Sequence, residues 1–128
     1  MRRVITPHIL VVDDDPLLLT SLRDILESNG HSIVTADGGW KGIDEYFAVR
    51  QRGQTFDVVI SGLGMPKIDG RAVAVAIRSA EPATPIILLT GWGHRLQGEH
   101  DLIQHVDRVL SKPPRISELR AALGVFTS

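Results

Sequence analysis

The sequence predicts a doubly wound α/β domain, (βα)5, in which a five-stranded parallel sheet is the middle layer of a three-layer sandwich. Three observations predict it. Short runs rich in Val and Ile recur along the chain, longer stretches with helical spacing of apolar residues separate them, and capping or turn residues mark most boundaries. Runs without polar alternation belong to strands buried on both faces, the condition that helices on both sides of a parallel sheet create. A chain of 128 residues is long enough for one such core and too short for two.

The candidate strands are Ile9–Val12, Ser32–Thr35, Val58–Ile60, Ile86–Leu89 and Arg108–Leu110. After the first, Asp15-Pro16 supplies an N-cap and a proline at the first helical position. Leu18, Leu22, Ile25 and Leu26 then line one face of a helix that Asn29-Gly30 ends. Trp40, Ile43 and Phe47, spaced i, i+3, i+7, give the second helix its apolar stripe. The third starts behind Asp69-Gly70, buries Val73, Ala76 and Ile77, and stops before Pro82. The fourth is expected from about Leu96 to Val106, and the fifth carries Ile116, Leu119 and Leu123. Residues 1–7 read as an N-terminal extension, 8–124 as the domain and 125–128 as a C-terminal tail. Because parallel crossovers are right-handed, few arrangements remain, and the flavodoxin-like strand order 2-1-3-4-5 is the expected one.

Composition narrows the function classes. Lys and Arg number 14 against 15 Asp and Glu, so no global field draws the protein to nucleic acid or to an anionic membrane surface. Cysteine is absent, which excludes disulfides, thiolate catalysis and a Cys-based zinc site. The longest apolar runs, such as Ile86–Leu89, are far below membrane-spanning length, and Met1-Arg2-Arg3 is not followed by a signal-peptide core. The expected location is the cytoplasm. His94, His100 and His105 are too irregularly spaced for a helical metal site and read as surface residues. Trp92, in Thr90-Gly91-Trp92-Gly93, reads as loop packing.

In such a sheet ligands bind beyond the carboxyl ends of the strands, at the switch point between strands 1 and 3. Four segments converge there: Asp13-Asp14-Asp15, Ser61-Gly62-Leu63-Gly64-Met65-Pro66, Thr90, and Ser111-Lys112-Pro113. The pieces VVDDDP, GMPKIDG, ILLTG and LSKPP, each ending its strand, together resemble the receiver domain of two-component response regulators from about His8 to Leu123. The resemblance implies that a kinase's phosphohistidine gives its phosphoryl group to an aspartate ending strand 3. It further implies that Asp13, Asp14 and the Gly64 carbonyl hold Mg²⁺, that the Thr90 hydroxyl bonds a phosphoryl oxygen, and that Lys112 pairs with that group. The chemistry needs the cation because a carboxylate attacks an anionic phosphoryl donor poorly until the charge is neutralised.

Two positions depart from that pattern. The family's loop typically reads D-x-x-M-P, and here it reads Gly62-Leu63-Gly64-Met65-Pro66, so glycine stands at the phosphoacceptor position. Val109 falls where the family usually carries its aromatic switch residue. No neighbour replaces the acceptor: the Ser61 side chain should face the opposite side of the sheet, Asp57 lies at the far end of its strand, and Asp69 reads as a helix cap. Glycine at 62 could equally serve the backbone geometry of a strand end or be an engineered replacement.

Charge counting then leaves two carboxylates facing Lys112, so the lysine is expected to pair with Asp13 or Asp14, with no cofactor required and Mg²⁺ bound weakly or not at all. The expectation is a non-enzymatic phosphorelay module that is not phosphorylated at its usual site and works through protein contacts. Its partner would be a sensor histidine kinase or another phosphorelay protein, met through helix 4, strand 5 and helix 5, within His100 to Leu123. If the chain is a piece of a hybrid kinase, the parent would be the enzyme. Two rivals stand beside this. One is a phosphoryl-transfer or phosphate-ester enzyme with Asp13 or Asp14 as nucleophile, against which Pro16 opens a helix where such hydrolases read D-x-D-x followed by Thr or Val. The other is a small-ligand pocket in the space left at position 62.

Overall fold

All five apolar runs become strands, β1 (His8–Val12), β2 (Ser32–Ala36), β3 (Val58–Gly62), β4 (Ile86–Thr90) and β5 (Arg108–Ser111), paired in parallel in the order β2-β1-β3-β4-β5. This is the expected order. The computed structural model describes residues 6–91 and 106–127. Within them three helices, α1 (Pro16–Ser28), α2 (Gly39–Gln51) and α3 (Gly70–Ala80), alternate with the strands, and a C-terminal helix, Ile116–Thr127, follows β5. The expected helix from Leu96 lies outside the described residues, together with Trp92, His94, His100 and His105. Val106, where it was to end, is buried and not helical.

Successive strand residues point to opposite faces, so the sheet has two cores. Ile9, Val11, Val58, Ile60, Ile87 and Leu89 pack under α1 and the C-terminal helix, whereas Leu10, Val12, Val59, Ile86 and Leu88 pack under α2 and α3. The inner strands β1, β3 and β4 are buried almost throughout, while the edge strands β2 and β5 are largely half-exposed or exposed. Each fully buried Ile, Leu or Val stabilises the fold by about 1.5–3 kcal/mol relative to exposure.

α1 starts as expected. Asp15 accepts from the Leu17 and Leu18 amides at 3.0 and 3.5 Å, Pro16 opens the helix, and Leu18, Leu22 and Leu26 are buried. Gly30, at φ 89°, turns the chain away after the Asn29 cap.

α2 corrects the sequence reading. Trp40 is 58 % exposed and Phe47 36 %, and the inward face is instead Gly39, Gly42, Tyr46 and Val49. The cause is close approach: a Cβ on Gly42 would lie 2.6 Å from Val12 Cγ2, and one on Gly39 2.4 Å from Ile68 Cγ1. The two glycines let the helix backbone rest on β1 and on the loop after β3, and Tyr46 fills the space beyond them, its hydroxyl 2.7 Å from Thr84 Oγ1.

Smaller corrections have the same origin in side-chain size and helix phase. In α3, Ala74 is buried beside Val73 and Ile77 while Ala76 is only half-buried, and in the C-terminal helix Leu119, Ala122 and Leu123 are buried while Ile116 is 45 % exposed. That helix runs on through Val125–Thr127, the segment read from the sequence as a tail.

The amino ends of the strands have their own polar closure. The His8 amide donates to Asp57 Oδ2 at 2.7 Å, and Asp107 accepts from the Ile86 amide at 2.7 Å while pairing with Arg78. Asp57 is therefore a structural group at the end opposite the candidate site, as the sequence placed it. No described helix is long and apolar enough to cross a membrane.

Candidate functional site

The site is built from the carboxyl end of β1 outward. The Asp13 amide continues the sheet by donating to the Ala36 carbonyl at 3.1 Å, which fixes its backbone and leaves the side chain, fully buried, above the sheet. Its Oδ1 accepts from the Asp15 amide at 2.9 Å and from Lys112 Nζ at 3.0 Å. Oδ2 lies 3.0 Å from the same ammonium, yet it receives no directed hydrogen bond. One lysine thus covers both carboxylate oxygens. The pair joins β1 to the turn after β5, where the Lys112–Pro113 peptide is cis.

Gly62, the last residue of β3, faces this pair. A Cβ built on it would stand 2.1 Å from Asp13 Oδ2, 3.0 Å from Asp13 Cγ and 3.6 Å from Lys112 Nζ. No real Cβ lies so close to another heavy atom, so position 62 can carry no side chain while Asp13 holds this rotamer. The space is filled, not vacant. The backbone here has little room to retreat: the Leu63 amide donates to the Leu89 carbonyl at 2.8 Å, and the Gly70 amide to the Leu63 carbonyl at 2.8 Å. A Cβ on Gly70 would come within 2.2 Å of the Gly62 carbonyl oxygen, so α3 starts directly against the end of β3.

The remaining sequence-predicted residues fall around this centre. Asp14, expected to face Lys112 with Asp13, is exposed and lines a separate cleft of about 280 Å³ with Trp40, Pro66 and Lys67. Adjacent residues leaving a strand point apart, which explains the separation. Across that cleft Lys41 reaches Asp37 at 2.9 Å, and this hydrogen bond, with the lysine charge, holds the Asp37 carboxyl below its ordinary value. Thr90 is buried at the end of β4, level with Ser111. Gly64 is exposed in the loop after β3, which Lys67 turns through φ 71° before Asp69 caps α3 by accepting from the Ala72 amide at 3.1 Å. Val109 is half-buried, opposite Leu88, against the core under α2 and α3. The Ser61 hydroxyl donates to the Gly62 carbonyl at 3.0 Å.

The structure therefore brings Asp13, Gly62 and Lys112 together and sets Asp14 apart. Sequence reasoning missed that Asp13 occupies the room at position 62. The available signal was the glycine itself, since a glycine inside a strand often marks the close approach of another group. The donor set does not fit a divalent cation: Asp13 spends its oxygens on Lys112, Asp14 faces another cleft, and among the described residues no three His, Cys, Asp or Glu side chains gather to hold a metal.

Strand order, a lysine-paired aspartate at the switch point and the loop leading into α3 define a doubly wound domain with a strand-end polar site. The family model for the response regulator receiver domain matches residues 9–124, and the chain belongs to that family. It is 39 % identical over 106 residues to the transcriptional regulatory protein GlrR of Escherichia coli, covering 83 % of this chain and 23 % of that protein. It is 36 % identical over 127 residues to the sensor protein GacS of Pseudomonas syringae, covering 94 % of this chain and 13 % of that protein. The chain thus spans a quarter or less of either relative. Among solved structures, the response regulator TrrA of Thermotoga maritima, in complex with Mg²⁺-BeF, superposes with a TM-score of 0.83 at 30 % identity, over 94 % of this chain and 99 % of that one.

Proposed function

We propose that this receiver domain serves a two-component phosphorelay without taking a phosphoryl group at position 62, and that it signals through protein contacts. The observation that carries the reading is the contact between Asp13 and the Cβ position of Gly62: the residue has no side chain to phosphorylate, and a neighbouring carboxylate fills the place of one. A sensor histidine kinase is the partner class this reading favours. In its support, TrrA has also been solved in complex with the histidine kinase ThkA, and that TrrA chain superposes with a TM-score of 0.82 at 30 % identity. For the contact face we retain β5 with the C-terminal helix, where Arg108, Leu110, Glu118, Ala122 and Val125 line an open groove of about 290 Å³ and Val125 is 60 % exposed. A cytoplasmic location goes with this role.

The rival readings lose support at the same place. An enzyme using Asp13 as nucleophile would attack through an oxygen that is buried against Gly62 and covered by Lys112. A small ligand at position 62 would have to displace the Asp13 carboxylate.

Incubation with Mg²⁺ and acetyl phosphate, followed by intact mass measurement, tests the reading. The expected mass is unchanged. A stable gain of one phosphoryl group refutes it, and steady release of phosphate would support the enzyme instead.

A further inference from the structure

The missing acceptor carboxylate explains why a phosphoryl group has nowhere to go, but not why the Asp13 side chain lies where it does. Resting on the receiver reading above, we infer that Asp13 and Lys112 form an internal latch that takes the place of the divalent cation: Lys112 is the pocket's resident positive charge, and Gly62 is the residue that permits it to be. Three observations stand behind this. Lys112 Nζ stands 3.0 Å from each oxygen of a fully buried carboxylate, so its charge is already matched. Asp13 Oδ2 is turned into the volume that any Cβ at 62 would claim, at 2.1 Å. Asp14, the second carboxylate a cation would need, is exposed and lines the cleft that holds Trp40 and Lys67.

Position 62 is then a steric key as well as an absent ligand, because a methyl group there cannot coexist with the latch. The backbone around residue 62 is held by the Leu63–Leu89 and Gly70–Leu63 hydrogen bonds and by the contact of Gly70 with the Gly62 carbonyl. The carboxylate must therefore yield by rotating about its own side-chain bonds, which takes it out of the space over residue 62 and loosens its hold on Lys112. Two adjacent carboxylates without a matched lysine are a hard-oxygen donor set for a divalent cation.

Mg²⁺ titration of the wild type and of Gly62→Ala, followed by backbone amide NMR shifts at Asp13–Asp15 and Gly62–Gly64 with circular dichroism as the folding check, tests the latch. The wild type is expected to show no saturable shift at millimolar Mg²⁺, and Gly62→Ala to gain one. If Gly62 were no more than a lost ligand, adding a methyl group would leave Mg²⁺ binding unchanged. Lys112→Met is the second arm, since it removes the resident charge without adding atoms at position 62, and it too should gain a saturable response. Saturable Mg²⁺ binding by the wild type overturns the latch, as does the absence of any gain in a variant that remains folded. Where neither variant folds, the wild-type titration decides alone. The outcome is separable from the functional reading: a phosphoryl group on the wild type would refute that reading, whereas wild-type Mg²⁺ binding with no added phosphoryl mass would refute only the latch.

Discussion

Replacing Gly62 with aspartate is expected to let the chain take up a single phosphoryl group from acetyl phosphate in the presence of Mg²⁺, where the wild type is expected to take up none. The substitution does two things at once. It supplies a carboxylate at the end of β3, and its Cβ falls 2.1 Å from Asp13 Oδ2, which forces the Asp13 carboxylate out of the space over residue 62. Three carboxylates would then share the crevice with one lysine, an excess of negative charge that favours cation binding and the chemistry that follows from it. The check is a mass gain of one phosphoryl group that hydroxylamine removes, as it removes an acyl phosphate, and that is absent without Mg²⁺. Failure to phosphorylate a folded Gly62→Asp protein would mean that Thr90 and Lys112 are not aligned for phosphoryl transfer even after Asp13 has moved.

The second large effect concerns stability. Lys112→Met should destabilise the fold by about 3 kcal/mol, because it leaves the fully buried Asp13 carboxylate without its countercharge. The value sits at the low end for a broken buried pair because the lysine side chain is 25 % exposed and solvent shares its charge. For a domain of this size such a loss lowers the melting temperature by about 10 °C. Urea denaturation measures it directly, and the double variant Asp13→Asn, Lys112→Met should recover part of the loss, since the two residues form one interaction. If Lys112→Met costs no more than an ordinary surface substitution, the pair does not hold the end of the sheet together.

Much of this molecule was legible in the sequence, for identifiable physical reasons. The strands announced themselves because a parallel sheet covered on both faces demands uninterrupted Val, Ile and Leu, and the helix starts at Asp15-Pro16 and Asp69-Gly70 carry capping chemistry with one structural meaning. Strand ends were read short at Ala36, Gly62, Thr90 and Ser111 because small or polar residues add no apolar signal, although the ladder continues through them. α2 misled for a related reason. Its buried face is marked by Gly39 and Gly42, and a search for large apolar residues finds Trp40 and Phe47 instead.

The site shows the same division between residue identity and side-chain direction. Asp13, Gly62, Thr90 and Lys112 were placed at the carboxyl ends of the strands by spacing alone, and the expectation that Lys112 pairs with one of two aspartates resolves to Asp13. Which aspartate turns inward depends on the pleat at the end of β1, and the rotamer that carries Asp13 over Gly62 depends on the absence of a single Cβ on another strand. For the first no local pattern speaks, and for the second the only sign is the glycine itself. Reading Gly62 only as an absent carboxylate leaves out the packing, in which Asp13 Oδ2 takes the room of its Cβ.

Asp13, held by Lys112, stands where a side chain at position 62 would stand. A crystal structure of the wild-type chain grown with Mg²⁺ and beryllofluoride tests it most directly. The expected structure has Asp13 Oδ2 packed over Gly62, Lys112 Nζ within hydrogen-bond distance of the carboxylate, and neither cation nor beryllofluoride in the crevice. Asp13 turned towards Asp14 on a bound Mg²⁺, with Lys112 released, would contradict it.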